Sequence, residues 1–272
     1  MDEQEIKQLR EDVSRSGFPF QRKIRRLIDS STSEHGWKVE SPEHAWVDLD
    51  SGEDGFIDLI VSHQINIFKF VVECKRPLGG RWIFLVSKSA PEASRIRAFW
   101  TVINDNGWYD FYYNPPSIEA EDCIVRGQDK QLPMLERLSG DLLRSLGAVA
   151  LQEQQIRERE GLGFPRIYIP MIITTADLFV CRADEDEDIT MDGRIMETAE
   201  FLPVPFVRFR KSLVTRLSPD AEPQNLPEEN LDKQRSVLIV NNENLIQILK
   251  SFATDPAPPF DFHLPWRRSD WS

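Results

Sequence analysis

The sequence has few of the residues that build disulfide frameworks or zinc sites, and it lacks long apolar runs. Its 272 residues include three cysteines and four histidines, and the cysteines stand far apart, at positions 74, 123 and 181. An odd number of scattered cysteines fits neither a disulfide scaffold nor a zinc-binding pattern. No apolar run approaches the length of a membrane span, and the first residues, MDEQEIKQLRED, are polar rather than signal-like. We therefore expect a cytoplasmic protein without a membrane partner.

Acidic residues outnumber basic ones, 45 to 33. The formal net charge is −12, whereas proteins that bind nucleic acid usually present a basic surface, because neutralised phosphates release counterions. The basic residues form two groups, which are Arg22, Lys23, Arg25 and Arg26, and Arg208, Arg210, Lys211 and Arg216. Each group is consistent with a solvated face or with a phosphate-binding track. The charge balance predicts weak intrinsic affinity for DNA, or dependence on a partner protein.

Two common catalytic patterns are absent from the sequence. No serine or cysteine lies in an elbow-like turn with a histidine nearby, and the sequence has no glycine-rich phosphate-binding loop. We therefore expect neither a nucleophile-based hydrolase nor a P-loop enzyme.

The most informative stretch lies between positions 56 and 76, FIDLIVSHQINIFKFVVECKR. Two runs rich in Ile, Val and Phe, Phe56–Val61 and Ile67–Lys75, predict two β-strands joined by a polar turn. Three charged residues, Asp58, Glu73 and Lys75, interrupt these apolar strands. A buried carboxylate is costly unless it is paired or binds a cation, so these charges need a partner.

Strand alternation places Glu73 and Lys75 on one face and Cys74 on the other. Two interpretations follow. In the first, Asp58 and Glu73 supply oxygen ligands to Mg²⁺, the main-chain carbonyl of Cys74 is a further ligand, and Lys75 orients the attacking water. In the second, Lys75 neutralises Glu73 in an ion pair at a sheet edge. The E-x-K motif alone does not decide, because average composition produces it about once by chance in such a chain.

A second copy of the motif provides an internal comparison. Glu5-Ile6-Lys7 has the same spacing, but it lies in a polar, helix-prone N-terminal segment. No apolar strand carrying an aspartate precedes it. The sequence context therefore favours a metal site at Glu73 over a structural ion pair.

The residues around Glu73 resemble a known family. Ile57-Asp58, a hairpin, and then Glu73-Cys74-Lys75 at the end of an apolar strand are similar to the D…E-x-K signature of the PD-(D/E)XK, or restriction-endonuclease-like, nuclease superfamily. The proline that usually precedes the aspartate is Ile57 here. The resemblance covers about residues 16–86, extends over 130–183, and is closest to uncharacterised bacterial members.

The resemblance implies a set of site residues and a cofactor. Asp58, Glu73 and Lys75 match the catalytic residues, and Mg²⁺, for which Mn²⁺ can substitute, is the implied metal. Many members carry a supporting glutamate on the first helix. The matching position here is Gln21, which can hydrogen-bond but carries no charge, so one metal ion is favoured over two. The nucleic-acid-binding residues implied on that helix are Arg22, Lys23, Arg25 and Arg26.

The implied fold is α/β, with a restriction-endonuclease-like αβββαβ core whose mixed central sheet is flanked by helices. We expect a polar N-terminal segment at 1–16, the core at 17–183 with an insertion at about 77–130, and a C-terminal extension at 184–272 packed on the core. Apolar periodicity predicts a first helix from Pro19 to His35 and a long helix from Leu132 to Glu160. The apolar run Arg166–Thr174 predicts a central strand buried on both faces.

Other segments carry weaker patterns. Ala90–Ile103 predicts a helix, and Ala176–Cys181 a strand beside the central one. The acidic segment 184–192 predicts a solvated loop, and Phe201–Leu213 an edge strand, because it contains two prolines. The aromatic residues between 104 and 116 suit either a satellite core or stacking on unpaired bases.

The leading functional prediction is a Mg²⁺-dependent nuclease that hydrolyses DNA phosphodiester bonds, in restriction or phage defence. A homodimer or a partner protein is consistent with this function. The alternative is a nucleic-acid or protein interaction module that retains the fold without catalysis, which the acidic charge and the uncharged Gln21 favour. Hydrolysis of RNA or of a nucleotide is a third possibility that the sequence leaves open.

Overall fold

The computed structural model describes residues 2–48, 51–77, 80–125, 134–212 and 234–253. The helices are α1 (Glu3–Arg15), α2 (Phe18–Ser30), α3 (Thr32–His35), α4 (Met134–Arg159) and α5 (Leu245–Ala253). The strands are β1 (Trp37–Val47), β2 (Asp54–His63), β3 (Phe68–Lys75), β4 (Arg81–Val86), β5 (Glu92–Val102), β6 (Asp105–Ala120), β7 (Asp122–Val125), β8 (Arg166–Thr174), β9 (Asp177–Arg182), β10 (Glu200–Pro203), β11 (Phe206–Ser212) and β12 (Gln234–Asn241). The protein is therefore mixed α/β, as the sequence predicts.

The strands form two sheets. The larger sheet has eight strands in the order β1-β2-β3-β8-β12-β11-β6-β5. Because β5 also pairs with β8, the strands β8, β12, β11, β6 and β5 close into a cylinder. The strands β3, β2 and β1 extend this sheet from the other edge of β8. The smaller sheet has four strands in the order β10-β9-β4-β7.

Strand β8 is central to the larger sheet, because three other strands pair with it. Its sequence RIYIPMIIT is buried from Ile167 to Thr174, and it pairs with β3, β5 and β12. A strand that is covered on both faces has apolar residues at consecutive positions rather than at alternate ones. The prediction of a buried central strand at Arg166–Thr174 is confirmed.

Helices α2 and α4 cover opposite faces of β3. Ile24 of α2 lies in the same core cluster as Phe70, whereas Leu146 of α4 lies in the cluster that contains Val71. The chain thus runs α2, β1, β2, β3, α4, β8, with the short helix α3 between α2 and β1, and β4 to β7 between β3 and α4. Antiparallel pairing joins β1, β2 and β3, and β8 lies parallel to β3. In the described part of the chain, no helix is long and apolar enough to cross a membrane.

The prediction of a helix at Ala90–Ile103 is wrong, because this segment forms strand β5. Ile96, Ala98 and Trp100 belong to one core cluster and Phe99 to the other, so successive side chains point to opposite faces, which is the period of a strand rather than of a helix. The aromatic segment that follows forms β6, the antiparallel partner of β5. Its Phe111 and Tyr113 are buried in the core, so these two side chains are core residues.

The C-terminal segment contributes strands to the larger sheet. The single edge strand predicted at Phe201–Leu213 is wrong, because the segment forms β10 and β11 with a break between them that contains Pro205. Strand β11 lies between β12 and β6, so it is an internal strand. Proline interrupts strand pairing, which explains why the break falls there. The remaining residues of this segment, 213–233 and 254–272, lie outside the described residues.

Two smaller predictions also need correction. The strand predicted at Ala176–Cys181 does form, as β9, but it pairs with β4 and β10 in the smaller sheet and not with β8. The acidic segment 184–192 is not fully solvated, because Asp188 is completely buried. Its Oδ2 lies 2.7 Å from the Lys88 Nζ and accepts a hydrogen bond from the main chain of Asp184. A buried carboxylate is tolerated when it is paired in this way.

Candidate metal centre

Asp58 lies where strands β2 and β3 separate. The last residue pair between the two strands is Leu59 with Val72. Asp58 and Glu73 are the next residues on each strand, just outside the paired region. The Asp58 Oδ2 accepts a hydrogen bond of 2.7 Å from the main-chain N–H of Cys74. Beyond the last residue pair of the two strands, the main-chain N–H of β3 thus donates to the Asp58 side chain. This bond fixes the Asp58 carboxylate against the end of β3 that carries the E-x-K motif.

Gln21 supports the same position from helix α2. Its Nε2 donates a hydrogen bond of 2.9 Å to the main-chain carbonyl of Asp58, and its side chain is buried. This contact ties the first helix to the strand that carries the aspartate. The contact is with the main chain rather than with the carboxylate, so Gln21 positions the strand.

Glu73 lines a cavity between the end of β3 and helix α4. The cavity has a volume of about 450 Å³ and includes Leu138, Asp141 and Arg144 of the helix. Glu73 therefore lies on the α4 side of the sheet together with Val71, and strand alternation assigns Lys75 to the same side. Cys74 lies on the other side, where it packs against the core beneath α2. The cavity lining and the core cluster thus give Glu73 and Cys74 the opposite orientations that the sequence predicts.

The two carboxylates influence each other electrostatically. Burial, together with the Asp58 carboxylate, raises the pKa of Glu73 to about 7, while Lys75 opposes the shift. Burial also raises the pKa of Asp58, against the lowering effects of the Cys74 N–H and of Lys75. Asp58, Glu73 and Lys75 therefore lie within electrostatic range of one another. Two neighbouring, partly buried acids form a site that favours a positive ligand.

The donor set has two acidic side chains. Among the described residues, no group of three or more His, Cys, Asp or Glu side chains is placed to hold a metal ion. Mg²⁺ is commonly bound through one or two carboxylates, with water and substrate phosphate completing its octahedral shell. Asp58 and Glu73 therefore fit Mg²⁺ chemically. The thiol of Cys74 packs in the core beneath α2, on the face opposite Glu73, so it is not part of this donor set.

The two basic groups differ sharply in exposure. The side chains of the first group are exposed along α2, and they are Arg22, Lys23, Arg25 and Arg26. In the second group, Arg208 is 2% exposed, donates to Ser117 and lies 3.3 Å from Glu119. Arg210 is paired with the same glutamate. The second group therefore provides no free surface track at these two residues.

A buried ion network at the opposite end of β3 from the candidate centre was not predicted. Lys69 of β3 is buried, and its Nζ lies 2.8 Å from Glu153 of α4 and 2.9 Å from Glu40 of β1. The hydroxyl of Tyr168 donates to the same Glu153. The sequence signal was a lysine flanked by two phenylalanines in an apolar strand, at positions 68–70. Its partners lie 29 and 84 residues away, so the sequence pattern does not reveal them.

Comparisons with known proteins leave the family open. No protein-family model, curated protein or solved structure gives a significant match to this chain. The similarity to PD-(D/E)XK nucleases therefore remains a prediction from the sequence motif.

Proposed function

We propose that this protein is a divalent-metal-dependent nuclease that hydrolyses DNA phosphodiester bonds. Asp58, Glu73 and Lys75 are the residues that would carry the reaction. The arrangement of α2, β1, β2, β3, α4 and β8 supports the proposal, because it follows the helix and strand order of the restriction-endonuclease-like core. Restriction or phage defence is the biological setting that the resemblance suggests.

The observation that carries the proposal is the hydrogen bond between Asp58 and Cys74. It holds one carboxylate beside a second one, Glu73, whose pKa is raised to about 7. A structural ion pair with Lys75 alone would not require two acids at one place. The accumulation of like charge in a partly buried site is typical of functional sites.

Each residue has a role that follows from its position. Asp58 and Glu73, with the carbonyl of Cys74, would hold Mg²⁺, which supplies Lewis-acid activation of the phosphate and of a water molecule. Lys75 would orient that water and stabilise negative charge on the phosphate. Gln21 keeps Asp58 in place through its main chain. The exposed basic residues of α2, which lie next to Gln21, would contact the DNA backbone.

The overall charge limits how DNA is bound. With a net charge of −12, the protein depends on a local basic surface, and such binding weakens steeply as salt increases. A homodimer or a partner protein would add basic contacts and a second active site. We therefore expect measurable DNA affinity at low ionic strength.

Cleavage of supercoiled plasmid in Mg²⁺ tests the proposal. Asp58→Ala and Glu73→Ala should abolish cleavage while the far-ultraviolet circular dichroism spectrum is unchanged. Glu5→Gln is the matched control, because Glu5 belongs to the second E-x-K sequence, which lies on the exposed helix α1. Cleavage by the two site variants at the wild-type rate, or no cleavage by the wild type with Mg²⁺ or Mn²⁺, would contradict the proposal.

A non-catalytic interaction module is the second candidate. The excess of acidic residues and the uncharged Gln21 favour it. Metal binding separates the two functions, because a scaffold without catalysis has no need of a cation held by Asp58 and Glu73. DNA binding that is equal with and without Mg²⁺, together with no cleavage, would favour the module.

A further inference from the structure

Arg144 stands out among the residues that line the cavity beside Glu73. The ionisable residues of this lining are Glu53, Asp54, Glu73, Asp141 and Arg144, so four carboxyl groups face one guanidinium group. The Arg144 Nη1 lies 2.7 Å from the Glu53 Oε2, and Nη2 donates to Asp141 on the same helix. Arg144 is therefore held beside Glu73 by two acids of the same cavity.

These ion pairs are easily exchanged. The side chain of Arg144 is 53% exposed, and those of Glu53 and Asp141 are 51% and 55% exposed. Water and salt screen the attraction between such exposed charges, so they contribute little to stability. An incoming anion can therefore replace the two carboxylates without a large loss. A guanidinium group suits a phosphate best, because its planar fork donates two parallel hydrogen bonds.

The charge of the cavity makes such a contact necessary for an anionic substrate. A single divalent cation held by Asp58 and Glu73 does not offset four carboxyl groups in the lining. A phosphodiester that approaches Glu73 needs a further positive group, and Arg144 is the cation among the described residues of the lining. We propose that Arg144 binds the substrate phosphate in this cavity, and that Glu53 and Asp141 occupy its guanidinium group until the phosphate displaces them. The inference rests on the proposed function and names the residue that recognises the phosphate ester.

Opposite effects are expected from the two partners of one ion pair. Arg144→Gln removes the phosphate contact and should weaken binding by roughly tenfold or more, since the lost hydrogen bonds are charge-assisted. Glu53→Gln removes a competing carboxylate and should strengthen binding. Asp54→Asn makes the same change of charge in the same cavity, but in the described part of the chain Arg144 pairs with Glu53 and Asp141 and not with Asp54. The difference between Glu53→Gln and Asp54→Asn therefore isolates the release of Arg144 from the general effect of charge.

The experiment measures the anisotropy of a short fluorescein-labelled DNA oligonucleotide, titrated with each full-length variant in Ca²⁺ at low ionic strength. Electrophoresis checks that the strand stays intact. Arg144→Lys should bind between wild type and Arg144→Gln, because it keeps the charge but loses the fork. Arg194→Gln, which breaks an exposed ion pair with Asp192, is the control and should bind like wild type. Thermal unfolding of each variant checks that the fold is retained.

The outcomes separate this inference from the proposed nuclease activity. Arg144-dependent binding, with tighter binding for Glu53→Gln than for Asp54→Asn, supports the phosphate site even if plasmid is never cleaved. Equal binding by wild type and Arg144→Gln, or weaker binding by Glu53→Gln, would overturn it. Absence of binding by wild type would overturn it as well, whereas cleavage that is unaffected by Arg144→Gln would leave the nuclease and remove the phosphate site.

Discussion

The carboxylate of Asp58 accepts a hydrogen bond of 2.7 Å from the main-chain N–H of Cys74. This bond lies just beyond the last registered pair of β2 and β3. It joins the aspartate to Cys74, the central residue of the E-x-K motif, which lies 16 positions later in the chain. Asp58 and Glu73 consequently meet at one end of an otherwise apolar hairpin, which is the geometric basis of the proposed centre.

Changing Gln21 to Glu tests how the first helix supports this position. The Gln21 amide donates to the Asp58 carbonyl, and an ionised glutamate would place an acceptor against an acceptor in a buried site. We expect Gln21→Glu to lower the free energy of unfolding by about 1–3 kcal/mol. The loss should be larger at pH 8 than at pH 5, because only a protonated glutamate can donate.

Urea denaturation at the two pH values measures this effect. Gln155→Glu, a change of the same kind at an exposed position of α4, should alter stability by less than about 0.5 kcal/mol. An equal loss at both pH values for Gln21→Glu would contradict the role of the Gln21 side chain as a donor.

Glu73 should make the protein less stable as pH rises. Its pKa is about 7 in the folded state, against an ordinary value of 4.5. Between about pH 4.5 and 7 the folded state therefore binds more protons than the unfolded state, so the free energy of unfolding falls with increasing pH. Asp58 contributes with the same sign, because its pKa is also raised. Below this window both states are protonated, and the contribution of Glu73 is constant.

Denaturation between pH 4.5 and 8 checks this dependence. Glu73→Gln should flatten the decline, because a neutral side chain no longer loses a proton, whereas Glu5→Gln should leave the decline unchanged. An identical slope for wild type and Glu73→Gln would show that Glu73 titrates normally.

Lys69 is expected to be essential for stability although it lies outside the proposed reaction. Its side chain is 3% exposed and bridges Glu153 and Glu40. Lys69→Ala leaves Glu153 without its nearest cation, and breaking a buried pair typically costs about 3–5 kcal/mol. Chemical denaturation measures the loss. The control is Lys250→Ala, which breaks the ion pair of Lys250 with Glu34 on the surface and should cost far less; losses of similar size would contradict the distinction.

Helix α5 should be an integral part of the core. The ring of Phe252 stacks on Tyr113 at 5.4 Å and packs edge-on against Phe70 at 5.2 Å. Phe252→Ala should lower the free energy of unfolding by about 3–5 kcal/mol, because it leaves a cavity beneath α5. Phe201→Ala removes a ring that is 52% exposed and should have a small effect. Equal denaturation midpoints for the two variants would show that α5 is dispensable.

The sequence predicted the elements whose patterns are unambiguous. β8 and α4 are long and strongly apolar or periodic, and the hairpin carries charged residues that stand out against apolar neighbours. The site residues could be proposed for the same reason, since Asp58, Glu73 and Lys75 interrupt a buried pattern.

The errors arose where local pattern and tertiary context disagree. The segment of β5, EASRIRAFWTV, contains residues that suit both a helix and a strand, and only pairing with β6 and β8 determines its form. Arg208 was assigned to a surface cluster because a neighbouring arginine and lysine suggest exposure, yet Glu119 and Ser117 from a distant strand pair with it. Arg144 and its partner Glu53 are 91 positions apart in the sequence, so no local motif predicts their contact.

Calorimetric titration with Mn²⁺ at pH 7 tests the metal centre most directly. Wild type and Glu5→Gln should bind the ion saturably, and binding should release protons, because Glu73, with a pKa of about 7, is partly protonated before the ion binds. Asp58→Asn and Glu73→Gln should bind at least about tenfold more weakly, which corresponds to a loss of about 1.4 kcal/mol. Binding by both variants with wild-type affinity, or no saturable binding by wild type, would contradict the metal centre.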